Sequence, residues 1–94
     1  MSTTNMSIIS GNYFTINYIV FLSRVVQKIE SDCYIYYEDK SASLKDAMAL
    51  LNFCDVIPGK KVKISCFNDK HNYALKDLNR VRKLIEHDFE RTIE

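Results

Sequence analysis

The sequence predicts an α+β fold, an open-faced sandwich in which a four-stranded antiparallel sheet carries three helices on one face. Three observations carry that prediction. Strand-like alternation runs through "CYIYY" and "KVKISC", and apolar residues recur at helical spacing after Thr15 and again after Asn68. A short polar turn at Glu38 and Asp39 makes two of the strands immediate neighbours. Helices that each need one apolar surface, together with strands joined by a hairpin, are satisfied by a single sheet covered on one side.

Taken in order, Met6 to Ile9 is a first strand, stopped by the turn-forming Ser10, Gly11 and Asn12. From Thr15 the period changes. Ile16, Ile19, Val20, Ser23, Val26 and Gln27 share one side of a helix, and Tyr18, Leu22, Val25 and Ile29 share another. Both sides are largely apolar, so this helix is expected to bury one face and expose an unusually apolar second one. In "DCYIYYEDKSAS", Cys33, Ile35 and Tyr37 alternate with Tyr34 and Tyr36, and the chain turns at Glu38 and Asp39 to form a hairpin. Ser43 stands three residues before Asp46, a spacing at which a hydroxyl and a carboxylate satisfy the first free amides of a short helix. Ala47, Met48, Leu50 and Leu51 then give an apolar stripe that ends near Phe53. Pro58 and Gly59 mark a turn, after which Val62, Ile64 and Cys66 point inward and Lys61, Lys63 and Ser65 outward. With Asn68 or Asp69 as its cap, the last helix carries Ala74, Leu78, Val81 and Ile85 on its buried stripe and Lys76, Arg80, Arg82, Lys83 and Glu86 elsewhere.

No repeat, low-complexity tract or Pro/Gly-rich linker divides the chain, and 94 residues suit one domain over 1–94 with a single core. Thirteen basic side chains against twelve acidic ones give no field that would gather nucleic acid or anionic lipid. Tyr34, Tyr36 and Tyr37 offer rings on which bases could stack. The near-neutral charge and the lack of a glycine-and-aromatic ribonucleoprotein motif argue against that partner. Cys33, Cys54 and Cys66 are odd in number and show no CxxC spacing, and two lie in apolar patterns, so reduced, buried thiols in a cytoplasmic protein are expected. The uncharged start "MSTTNMSIISGNYF" lacks the basic residues of a targeting segment. The apolar run from Tyr18 to Leu22, followed by Ser23 and Arg24, is far below the roughly 20 residues of a bilayer span. Neither a metal nor a cofactor is expected, and the chain is expected to be monomeric.

Where these elements meet, the sequence resembles the HPr phosphocarrier family of the bacterial sugar phosphotransferase system. The residues that carry the resemblance are "KSASLKDAM", the following "LL", a loop, "GKKVKIS" and a closing Leu- and Val-bearing helix, with Asn12 ahead of the first helix. It spans nearly the whole chain, with one residue inserted between Phe53 and Pro58. In that family a "GLHTRP"-like stretch supplies a phosphoacceptor histidine at a helix N-terminus and an arginine two residues on. Here the matching stretch is "YFTINY": Thr15 takes the histidine's place, Asn17 the arginine's and Tyr18 the proline's.

That departure changes what the resemblance implies. A phosphoryl group on an imidazole nitrogen is labile enough to be passed on, whereas a threonine phosphoester is not, and without arginine the best phosphate clamp is gone. His71 and His87 are the only histidines; they fall at the start and near the end of the last helix, away from this site. The implied function is a non-phosphorylatable HPr-like domain that regulates or binds other proteins and is not an enzyme. The alternative is a working phosphocarrier in sugar uptake that uses a displaced histidine.

The family also carries a regulatory serine at the start of the short helix, where this chain has Asp46. Asp46 is either a permanent mimic of phosphoserine or an ordinary first-turn acid. The second is favoured, since a carboxylate has one charge and two oxygens against nearly two charges and three oxygens on a phosphate. The family docks its partners, transport-system proteins or a carbon-control transcription factor, through the first two helices. The resemblance places Thr15, Ile16, Asn17, Val20, Ala47, Met48 and Leu51 on that surface; Val20 and Leu51 fit a core position equally well.

Overall fold

The computed structural model describes residues 2–89. The expected single domain over 1–94 therefore includes residue 1 and residues 90–94, which lie outside the described residues. The elements are β1 (Ser2–Ile9), α1 (Ile16–Gln27), β2 (Asp32–Tyr37), β3 (Lys40–Ser43), α2 (Ala47–Leu50), β4 (Lys61–Asn68) and α3 (His71–Glu86), with a single 3-10 turn (Leu51–Phe53) continuing α2. The four strands form one antiparallel sheet in the order β1-β4-β2-β3, so the predicted α+β sandwich is the fold observed.

Alternation decides which face of the sheet is covered. Ile8 on β1, Cys33, Ile35 and Tyr37 on β2, Ala42 on β3, and Val62, Ile64 and Cys66 on β4 are all buried and join one core with residues of the three helices. The long helix α3 lies over β1 and β4, while α1 packs beside α2. Its stripe of Ala74, Leu78, Val81 and Ile85 is buried as the spacing requires. The inner strand β4, which the sequence patterns most clearly, is held in register by both of its neighbours, Ile8 opposite Val62 on one side and Ile35 opposite Ile64 on the other.

Several local expectations are corrected. β1 begins at Ser2 rather than Met6, since Ser2 through Ile9 pair without a break against Asn68 through Lys61. Long-range pairing, not local apolarity, makes "STTN" a strand. Ser43 does not cap the short helix: it ends β3 opposite Tyr34, and its Oγ accepts a bond from the Lys45 N–H. The cap is Asp46 itself, whose Oδ1 accepts from the Ala49 N–H at 3.1 Å, one position ahead of the first turn where it was expected.

Neither Asn68 nor Asp69 caps α3. Lys70 occupies the cap position without a side-chain bond, and Asn68 Oδ1 instead accepts from the Lys70 N–H. Ser65 faces outward yet is buried, because Tyr36 leans over it and its hydroxyl donates to the Tyr36 hydroxyl at 3.3 Å. Tyr37 lies on the core face and offers no ring to solvent, which removes one of the three tyrosines considered for stacking.

Candidate functional site

The residues around the start of α1 are positioned by a junction that the sequence pattern did not reveal. Gly11 approaches the end of α3 so closely that a β-carbon there would lie 1.9 Å from the Glu86 carbonyl oxygen, so only glycine fits. Its N–H donates to the Ile85 carbonyl, and the next residue completes the join. The buried Asn12 side chain donates from Nδ2 to the carbonyls of Ile85 (2.8 Å) and His87 (2.7 Å) and accepts at Oδ1 from the Phe89 N–H (2.7 Å). The free carbonyls at a helix C-terminus and the chain leaving it are thereby satisfied by one amide.

A second tie comes from the aromatic residues. Tyr18 is buried, its hydroxyl donates to the Leu84 carbonyl at 2.9 Å, and its ring meets Phe14 and Phe89 edge-on at 5.0 and 5.7 Å between centroids. Burial pushes the Tyr18 phenol well above its ordinary range, so it stays a neutral donor. Tyr18, the residue expected at the family's proline position, is therefore a strut between α1 and α3. The aromatic richness of this stretch is scaffold.

On that scaffold Thr15 is the N-cap of α1. Its backbone is extended (φ −73°, ψ 165°), its Oγ1 accepts the Tyr18 N–H at 3.2 Å, and it is exposed. Beside it is a shallow apolar depression of about 430 Å³ lined by Tyr13, Phe14, Thr15, Ile16, Ile19, Leu51 and Cys54. On its other side Thr15 borders a smaller hollow of about 180 Å³, lined in part by Asn12, Pro58 and Asp88. Among the described residues, no Lys, Arg or His lines either space. A phosphate at the start of α1 would meet a hydroxyl already used as a cap and, among the described residues lining these spaces, no basic side chain to clamp it.

The structure brings Thr15, Ile16 and Leu51 together in the larger depression. Ile16 is 69% exposed, Met48 77%, Leu51 41% and Val20 37%, so Val20 and Leu51 belong to the surface and not to the core. Val20 is one turn after Ile16 on α1, and Met48 precedes Leu51 by three residues, which extends the apolar area along both helices. Asn17 is exposed but does not line the depression, and Ala47 is half-buried against the core. Asp46, also exposed, stands at the start of α2. Tyr13, 63% exposed, Cys54 and the buried Phe14 and Ile19 are the members that the sequence reading missed. Tyr13 carries no periodic signal because it precedes the helix, though an aromatic beside a cap residue was available as a cue.

The two histidines are on α3. His71 is its first residue and His87 its C-cap, and both are exposed. His87 lines a different groove, between α1 and α3, with Phe21, Val25, Arg80, Lys83, Leu84 and Phe89. No helix among the described residues is long and apolar enough to cross a membrane.

No protein-family model matches the sequence, and no curated protein matches it. Solved structures do match the fold. The phosphocarrier protein HPr from Bacillus anthracis str. Ames superposes with a TM-score of 0.79 at 11% identity, over 92% of this chain and 100% of that one. The histidine-containing phosphocarrier protein of Mycoplasma gives 0.67 at 17% identity, over 89% and 100%. HPr-C-His from Thermoanaerobacter tengcongensis gives 0.63 at 19%, over 88% and 92%. At these identities the likeness lies in the backbone, and the chain has the fold of the HPr phosphocarrier proteins.

Proposed function

We propose that this protein is an HPr-like domain that does not carry phosphate and instead binds or regulates other proteins through the apolar surface of α1 and α2. The single observation that supports this reading most is the composition of the surface around Thr15. Four exposed apolar side chains, Ile16, Val20, Met48 and Leu51, flank a helix start that holds a threonine and, among the described residues, no lining basic group. An apolar patch with a flexible methionine suits a protein partner, while a threonine ester would be too stable to pass its phosphoryl group on. The partners that fit the fold are proteins of the sugar phosphotransferase system or a carbon-control transcription factor.

The test uses the full chain with Enzyme I and labelled phosphoenolpyruvate. No label is expected on the chain, and calorimetric binding to Enzyme I is expected to weaken about tenfold in Ile16→Asp or Met48→Asp, roughly the loss of one well-buried contact. Binding that is absent, or unchanged in both variants, overturns the reading.

The displaced-histidine alternative draws support from one feature: His87 shares its groove with Arg80 and Lys83. Against it, the imidazole stands at the C-terminal end of α3, where the helix dipole disfavours an added anion. An acid-labile, base-stable label on His87 or His71 would establish that alternative. For Asp46, equal binding of a family transcription factor by the wild type and by Asp46→Ser would leave it only its capping role.

A further inference from the structure

Cys33 and Cys66 lie directly opposite one another in the sheet, on the adjacent antiparallel strands β2 and β4. Both side chains point into the core and neither has any exposed surface. Their sulfur atoms are 2.7 Å apart, closer than unbonded sulfurs ordinarily pack. Directly opposed positions on antiparallel strands hold their α-carbons about 4.5 to 5.5 Å apart, within the range that a disulfide spans without moving the backbone. The third cysteine, Cys54, is exposed on the far side of α2 in sequence and takes no part in this contact.

We propose that Cys33 and Cys66 are an oxidative modification site, at which an intrachain disulfide fastens β2 to β4 with a small-molecule disulfide such as oxidised glutathione as the oxidant. One thiolate attacks the oxidant and releases one glutathione thiolate; the second cysteine then displaces the other glutathione from the mixed disulfide. The two protein thiols lose two protons and two electrons, and one oxidised glutathione becomes two reduced ones.

The closed core has no room for the mixed disulfide, since both sulfurs are fully covered. Hydrogen bonding to Cys66, and then burial, also hold the Cys33 thiol well above its ordinary range, so little thiolate exists while the sheet is intact. The exchange therefore belongs to the chain before β2 and β4 have closed, or to their transient opening. Once formed, the bond is shielded from reductant by the same burial.

The experiment unfolds the full chain, refolds it across ratios of oxidised to reduced glutathione, alkylates free thiols in denaturant and measures mass. At oxidising ratios one alkylated cysteine is expected in place of three, with a linked peptide joining the Cys33 and Cys66 segments. The unfolding midpoint is expected to rise by about 10 °C or more over the reduced protein, since the bond closes a long loop in the unfolded chain. Cys54→Ser, at an exposed position, should keep the cross-link. Three alkylated cysteines at every ratio, a cross-link through Cys54, or its loss in Cys54→Ser would each overturn the assignment.

Discussion

Replacing Asn12 by alanine tests whether one amide joins the start of α1 to the end of α3. The substitution removes two hydrogen bonds donated by Nδ2 and one accepted by Oδ1. Their costs differ. The Ile85 carbonyl still has the Gly11 N–H, so it loses one partner of two, at about 1 kcal/mol. The His87 carbonyl and the Phe89 N–H take part in part-buried bonds, where water replaces some of what is lost, so each adds roughly 0.5 to 1 kcal/mol. The sum is about 2 to 3 kcal/mol, or a fall on the order of 15 °C in the thermal midpoint of a domain this size.

Asn12→Asp should be worse, because a carboxylate oxygen would face the two carbonyls that the amide now donates to; a loss of about 4 kcal/mol is expected. Circular dichroism melts of the three proteins supply the numbers, and hydrogen exchange at the Phe89 amide reports the local bond. Alanine within about 0.5 kcal/mol of the wild type, or aspartate no worse than alanine, would refute the argument that the amide bridges α1 and α3.

Three further outcomes follow from the same geometry. Gly11→Ala drives a methyl group into the Glu86 backbone, which cannot yield as a side chain could, and should cost about 3 kcal/mol by chemical denaturation. Thr15→Ala gives up the α1 cap and should cost about 1 kcal/mol in the same assay, whereas Thr15→Ser should cost a few tenths at most. Asp55→Asn concerns pH: the hydrogen bond from Lys40 lowers the Asp55 carboxyl and raises the Lys40 amine. A lowered carboxyl contributes stability above the ordinary carboxylate range and loses it as pH falls through its lowered value; a raised amine loses its contribution as pH climbs through its raised value. Midpoints measured against pH should therefore flatten at both ends in Asp55→Asn, and the difference should shrink in high salt because both groups are exposed.

The parts of the fold that were legible in the sequence are those where burial imposes a period. Val62, Ile64 and Cys66 on β4, and Ala74, Leu78, Val81 and Ile85 on α3, had to face the core once the element type was known. What escaped was set by contacts between distant residues. The polar start of β1 is a strand only because β4 lies alongside, and Asn12 has no periodic signature because its partner carbonyl is 73 residues away.

Asp46 shows a subtler ambiguity. A serine and an aspartate three apart fit a helix beginning after either one, and the choice falls to Asp46 because β3 keeps Ser43 in its ladder. At the candidate site, the expected division of α1 into one buried and one exposed side does not hold, because the buried Tyr18, Ile19, Leu22, Ser23 and Val26 come from both sides; sequence alone left Val20 and Leu51 undecided between core and surface. Neither Tyr13 nor Asp88 could be placed, since each lies in a loop whose path is fixed by the Gly11 and Asn12 junction.

The strand order has a consequence for how the chain reaches this structure. β4 is the last of the four described strands in chain order and yet sits second in the sheet, between β1 and β2. Only the β2–β3 hairpin pairs neighbours in sequence; β1 must wait for a partner that reaches from Lys61 to Asn68. Loops of that length make closure slow, so the sheet assembles late and nearly at once, after a period in which β1 and the apolar face of α1 have nothing to cover them. Translation speed and chaperone access while β4 is being made should therefore govern the yield of folded protein more than any single contact in the finished core.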